Sequence, residues 1–277
     1  MRAVMPTLTL TAVFAALAPA ALTAQSAQNV LDRMLAEYDR RAEGIDNYTV
    51  IQDVMGQSMS MYFEKDVSGA HPVFRTRQVV VNGMGDQSLA DRSQDADEFW
   101  AMLPELAAKA TSGGRETVDG HAVHVVQLND MAETGFGRSF APDNADFTPR
   151  RSTLYVDADL WVPRRMVFEG TMTSQGREAD ITMTIDLRDI RDISGLLHPF
   201  VTAVRIDGLG QAVDPEMRQQ YEQMKKQLAE MPESQRQMVE QMMKGRMEQM
   251  EQVMGGDGGM NVELVVREVR VNAGPPK

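Results

Sequence analysis

The sequence predicts an α+β fold: long antiparallel strands in one sheet, covered by helices, with a Met-rich helical hairpin inserted before the last strand. Three observations carry this expectation. From Glu178 to Arg188 the chain alternates, with Ala179, Ile181, Met183, Ile185 and Leu187 against Glu178, Asp180, Thr182, Thr184, Asp186 and Arg188. A period of two belongs to a strand with one dry and one wet face. The segment before it does the same, Met166, Phe168 and Met172 opposing Arg165, Glu169 and Thr171, with a turn at Ser174-Gln175-Gly176. Finally, strand periodicity resumes at Asn261 after a helical stretch, which makes residues 214–254 an insertion and not a separate domain.

Composition bounds the rest. Arg2 followed by the apolar run Leu8 to Leu22 predicts a secretory signal peptide, residues 1–24, cut after Ala24. That run is short for a membrane span, and no later stretch approaches the roughly twenty apolar residues one requires. The chain of 277 residues has no cysteine. Disulfides, a thiolate nucleophile, Cys-based metal sites and N-terminal lipidation are thereby excluded. A formal net charge of −12 argues against nucleic acid as a partner. The expectation is one soluble periplasmic domain, residues 25–277, with no membrane segment in the mature chain.

Taken in order, Ala27 to Ile45 predicts an amphipathic helix, with Leu31, Met34, Leu35, Tyr38 and Ala42 on one stripe and Gly44 at its end. Tyr48 to Met55 and Ser58 to Asp66 predict a hairpin, with Met59, Met61 and Phe63 sharing a face. Val73 to Asn82 is a third strand. A helix follows from about Asp97 to Ala110, striped by Phe99, Trp100, Leu103, Leu106 and Ala107, with Ser112-Gly113-Gly114 breaking it. Arg115 to Val118 and His121 to Leu128 predict a hairpin turning at Asp119-Gly120. Residues 131–151 show little periodicity and are expected as a long loop. The meander follows, from Leu154 to Asp207. Asp214-Pro215-Glu216 is a helix start, the first helix reaching about Met231 and a second about Met254. In the last strand the pattern places Val262, Leu264 and Val266 on one face and Val265, Val269 and Val271 on the other.

Catalytic chemistry has no signature here. His121 and His124 sit at i, i+3 and project to opposite faces of a strand, so no metal site is expected, and His71 and His198 stand apart. Surface or strand-end histidines are the expectation. Asp186, Asp189 and Asp192 with Arg188 and Arg191 read as a solvated strand end held by ion pairs. Phosphate loops, dinucleotide fingerprints and nucleophile elbows are absent, so neither an enzyme nor a cofactor is expected.

Methionine is the unusual residue, at 22 positions. Met217, Met224, Met231 and Met238 recur every seven residues, and Met243, Met247, Met250 and Met254 follow at four-three-four spacing. Flexible, polarisable side chains of this kind suit changeable apolar partners. Three uses are open: a hairpin packed on itself or on the sheet, a lid or docking surface for lipid or protein, and a coiled coil.

Taken together, the exported helix ending in GIDNYTV, the strands VIQDVMG and SMSMYFEKD, and LYVDADLWVPRRMVFEG with its Asp157, Trp161 and Pro163 resemble the LolA/LolB-like periplasmic lipoprotein carriers. RseB-type sensor domains belong to the same group, and ITMTIDLRDIRDISGLLHPF looks like its central meander. The resemblance spans roughly Val30 to Ile206 plus the final strand. It implies a strongly curved antiparallel sheet, an incomplete β-barrel closed by helices, whose apolar cavity accepts acyl chains in outer membrane lipoprotein sorting. The insertion at 214–254 departs from the transport proteins.

The function expected is non-catalytic binding of an acyl chain, lipid or lipoprotein. Met59, Met61, Phe63, Met166, Phe168, Met172, Ile181, Met183 and Ile185 are the expected cavity lining. Trp100, Met224, Met238, Met242 and Met247 are the expected lid or partner surface. The alternative is an interaction or envelope-sensor module, its barrel core filled and its Met-rich hairpin gripping an envelope protein.

Overall fold

Strand periodicity accounts for most of the described residues. The structure, a computed structural model, describes residues 26–54, 57–69, 71–86, 103–129, 145–174, 176–212, 215–233 and 258–276. Within them lie α1 (Ala27–Ala42), β1 (Asn47–Val54), β2 (Gln57–Asp66), β3 (Val73–Val81), β4 (Met84–Gly85), α2 (103–107), β5 (Ala110–Val118) and β6 (His121–Asn129). There follow β7 (Ala145–Asp157), β8 (Pro163–Ser174), β9 (Arg177–Ile193), β10 (Leu196–Asp207), α3 (Leu209–Ala212), α4 (Pro215–Glu230) and β11 (Met260–Val271).

All the described strands join one antiparallel sheet in the order β4-β3-β2-β1-β11-β10-β9-β8-β7-β6-β5. The order has two ends, so the sheet is open. Each hairpin pairs sequence neighbours except at one place, where β11 inserts between β1 and β10 and joins the two ends of the chain. There Asn272, at φ 55°, accepts from the Asp46 amide at 2.8 Å and donates to the Gly44 carbonyl at 2.9 Å.

The sheet curls, and α1 shows it. The helix has 16 residues, so it rises roughly 24 Å. Its N-terminal side packs with Val126 and Leu128 of β6, while Tyr38 near its other end meets the ring of Phe74 on β3 edge-on at 6.5 Å. In a flat sheet eight strand steps would hold β6 and β3 roughly 38 Å apart. A helix of this length bridges them only if the sheet wraps around it. Ser26 caps its start, accepting from the Asn29 amide, and the Lys65 ammonium donates to the Ala42 carbonyl at 2.8 Å, where a cation suits the dipole.

The main core lies beneath the first half of α1. Val30, Leu31 and Met34 meet Leu103 and Leu106 of α2 and the inward side chains of β6 to β9, among them Leu128, Leu154, Phe168, Ile181 and Met183. This is the face that the alternation in β9 anticipates.

Several expectations need correction. The helix expected to reach Ala110 ends at 107, and Ser112-Gly113-Gly114 does not break it but lies inside β5. Ala110 and Thr111 pair with Leu128 and Gln127, and a bulge between Ser112 and Gly114 hides the strand period. Gly113 is required there, because a Cβ would stand 2.7 Å from Val125 Cγ1. The expected loop at 131–151 ends early: β7 starts at Ala145, and a bulge between Pro149 and Arg151 masks its alternation. In β11 the two faces expected are one. Ile51 pairs with Glu268 and Gln52 with Val266, leaving Arg267 as an extra residue. That bulge puts Val262, Leu264, Val266, Val269 and Val271 on the same side, and only Val265 turns out, 42% exposed. Predicted residues 1–24, the second Met-rich helix and the start of the helix at 97 lie outside the described residues.

Candidate functional site

Directly opposed residues in an antiparallel pair share a face. The inward face of β9 can therefore be followed strand by strand. Ile185 faces Val204 on β10, Val204 faces Val262 on β11, and on β8 Ile185 faces Met166. Further along, Leu264 faces Val54 of β1, Gln52 faces Met59 of β2, and Val50 faces Met61. One inner surface thus runs continuously from β6 to β3.

Its filling is uneven. Over β6 to β9 it is closed by α1 and α2, and Phe168 is fully buried. Near the start of β1 a second, aromatic group fills it: Tyr48 stacks on Phe63 at 4.6 Å, and Phe74 meets Tyr48 edge-on. Phe200, Val266 and Val269 continue that group. Between the two lies the end of the sheet formed by Val54, Met59, Met61, Val262 and Leu264, all only half-buried.

The expected cavity residues therefore divide. Phe168, Met172, Ile181, Met183 and Ile185 are buried in the main core, with Met166 packed against it. Phe63 belongs to the aromatic group. Met59 and Met61 remain on the half-buried part, where the Gln52 amide donates to both sulfurs at 3.7 Å. Of the expected lid residues, Met224 lies half-buried on α4, beside the buried Tyr221 and Leu228 on the same helical stripe. Trp100, Met238, Met242 and Met247 lie outside the described residues.

The turn between β7 and β8 anchors α1 from outside the strands. Asp157, buried, accepts from the amides of Asp159 and Leu160 at 2.8 and 2.7 Å and pairs with the Arg164 guanidinium. Burial alone would raise the Asp157 pKa, but those two amides and Arg164 outweigh it and hold the carboxyl below its ordinary value. Arg41 of α1 donates to the Leu160 carbonyl at 2.7 Å, and Arg33 lies over the Trp161 ring. The motif around Asp157, Trp161 and Pro163 is thus a helix-docking turn.

The histidines are not all at the surface. His124 is buried and stacked on Trp161, and His198 packs edge-on against Tyr48 and Phe200. Burial pushes both below the ordinary imidazole value, the charge of Arg115 adding to it at His124. Sequence reasoning missed them because each neighbours aromatic partners brought in by other segments. His71 pairs with Asp39 at 2.7 Å. Among the described residues no three His, Asp or Glu side chains converge on one point, and no helix is long and apolar enough to cross a membrane. Of the acidic strand end, Arg191 pairs with Asp189 within the expected cluster, whereas Asp186 pairs with Arg165 on β8 and Arg188 with Glu263 on β11. A separate shallow cleft of 520 Å³ between Tyr62, Arg77, Asp86 and Pro275 lies on β3 and the C-terminal tail.

No family model matches the chain, and no curated protein matches it. Among solved structures it is similar to a DUF1329 family protein from Desulfovibrio piger, at 9% identity and TM-score 0.41, over 90% of this chain and 93% of that one. It is also similar to an outer membrane lipoprotein-sorting protein domain from Vibrio parahaemolyticus, at 11% identity and TM-score 0.41, over 91% and 95%. A third is a LolA superfamily protein from Nitrosomonas europaea, at 9% identity and TM-score 0.34, over 88% and 94%. None of the three fixes a ligand for this chain.

Proposed function

We propose that this protein is a non-catalytic periplasmic carrier that holds an acyl chain, of lipid or of lipoprotein, against the inner face of its curled sheet. One observation carries the reading: the inner face is continuous, packed at both sides, and left half-buried at Val54, Met59, Met61, Val262 and Leu264. A hydrocarbon chain laid there gains about 0.8 kcal/mol per CH₂ removed from water. Methionine and valine place no polar demand on it, and methionine adapts its shape. Met166, Phe168, Met172, Ile181, Met183, Ile185 and Phe63 form the packed walls in this reading. Trp100, Met224, Met238, Met242 and Met247 are its covering residues. Residues 1–24 are the export signal, and 25–277 one domain with its insertion at 214–254.

The test is native mass spectrometry of the mature protein, followed by lipid extraction and uptake of a fluorescent fatty acid. The expected result is a co-purifying acyl species, lost in Met61→Asp with the circular dichroism unchanged. A clean apo mass together with no uptake of the fatty acid overturns the reading.

A further inference from the structure

Two thioethers on β2 converge on one polar group. Met59 and Met61 are i and i+2 on a strand and so project to the same side. Gln52, directly opposite Met59 on β1, places its Nε2 3.7 Å from the Met59 sulfur and 3.7 Å from the Met61 sulfur. Both sulfurs thus turn a lone pair toward a single point, and the group at that point is the electropositive end of an amide. We propose that Gln52, Met59 and Met61 form a binding site for a soft monovalent cation, Cu(I), with Ag(I) as its analogue.

The chemistry selects the ion. Thioether sulfur is a neutral, soft donor that favours Cu(I) over hydrated, harder divalent ions. The sequence has 22 methionines and no cysteine, so thioethers are its only sulfur ligands. The side chains that face Met59 and Met61 across the register are Gln52 and Val50 on β1 and Val81 and Val79 on β3, while Asp53 points to the other face and pairs with Arg267. A cation held by the two sulfurs displaces the Gln52 N–H, and a flip of the Gln52 amide would turn its Oε1, in place of the N–H, toward that cation. A third thioether stands in the same cross-strand row: Met59 faces Val81 on β3, and Val81 faces Met84 on β4. Met84 is 73% exposed, and its Cα lies roughly 10 Å away by strand spacing, within reach of two extended methionine side chains. Histidine and cysteine spacings point to no metal in this sequence, and a pair of thioethers carries no such spacing signature.

The experiment is an anaerobic Cu(I) titration of the full chain in competition with bicinchoninate, beside NMR of the protein with ¹³C-labelled methionine methyls titrated with Ag(I). The expected result is that the first equivalent shifts the Met59 and Met61 methyl signals and that Met59→Leu/Met61→Leu weakens Cu(I) retention at least tenfold. Leucine keeps the volume, so the double variant should melt near wild type. Both readouts, Cu(I) retention and methyl shifts, follow the metal and not the acyl chain, so a failure here leaves the carrier reading standing and a failure of the carrier reading leaves this site standing. Retention by the double variant equal to wild type overturns the proposal, and so do Met59 and Met61 signals that stay fixed while other methionines respond.

Discussion

The imidazole of His124 lies parallel to the indole of Trp161, with ring centroids 5.3 Å apart and planes at 19°. His124 is 3% exposed, so protonating it would place a cation in a dry setting beside the charge of Arg115. Burial therefore holds its pKa below the ordinary value, and burial does the same at His198. In the unfolded chain both titrate near the reference value of about 6.5. Between that value and their folded ones the unfolded state binds more protons, so stability is whole above about pH 6.5 and falls as the pH drops. The urea midpoint should decline between pH 7.5 and 5.5. His124→Phe, which keeps the stack and removes the titration, should flatten part of that slope; a midpoint that is level in wild type would refute the account.

The ion pair of Asp157 and Arg164 is more exacting. Both side chains are buried, at 2% and 9% exposure. Asp157→Asn leaves the Arg164 guanidinium buried without its counter-charge, which costs about 3–5 kcal/mol. Because the folded Asp157 pKa lies below its ordinary value, the wild-type contribution is present above about pH 3.8 and disappears on acidification through the folded pKa. Chemical denaturation at pH 7 measures the first statement. A loss under 1 kcal/mol would mean that the Asp159 and Leu160 amides, not the charge, hold the turn.

How much of this was legible follows from what each pattern depends on. The alternation in β9 is a local property, and Ala179, Ile181, Met183 and Ile185 are all buried as it implies. The hairpin turn at Asp119-Gly120, both at positive φ, was equally visible. Bulges are different. Arg267 is extra only relative to Ile51 and Gln52, more than 200 positions away in sequence, and nothing in VELVVREV marks it. The same holds for the candidate site. The shared face of Met59 and Met61 could be read, but the Gln52 amide between their sulfurs is a partner supplied by register. The aromatic neighbours of His124 and His198 and the Tyr48–Phe63 stack were hidden for the same reason.

Gly170 occupies an inward position of β8 between Phe168 and Met172, and the space above it is already taken. A Cβ there would stand 2.4 Å from the Thr148 carbonyl oxygen and 2.8 Å from the Phe147 ring. The nearer atom belongs to the backbone of β7, which cannot rotate aside. Gly170→Ala should therefore destabilise by about 1–3 kcal/mol, as overpacking does, although alanine ordinarily suits a strand better than glycine. Pairing it with Phe147→Leu relieves the ring contact but not the carbonyl contact. A thermal melt of Gly170→Ala at or above wild type would show that the two strands can separate here at no cost.

Asn272 separates two contributions that are usually confounded. Its φ of 55° is a left-handed conformation that asparagine and glycine tolerate. Its side chain also accepts from the Asp46 and Asn47 amides, at 2.8 and 3.3 Å, and donates to the Gly44 carbonyl at 2.9 Å. Asn272→Gly keeps the backbone free and removes the three bonds, whereas Asn272→Ala removes the bonds and adds backbone strain. The glycine variant should lose about 1 kcal/mol from these three exposed hydrogen bonds, and the alanine variant about 1 kcal/mol more. Since these bonds tie the end of β11 to the start of β1, amide hydrogen exchange should rise first at Asn47 and Tyr48, ahead of β9. Equal stability of the two variants would leave the side-chain bonds as the whole effect, and protection unchanged at Asn47 would show that the β1–β11 pairing closes the sheet without them.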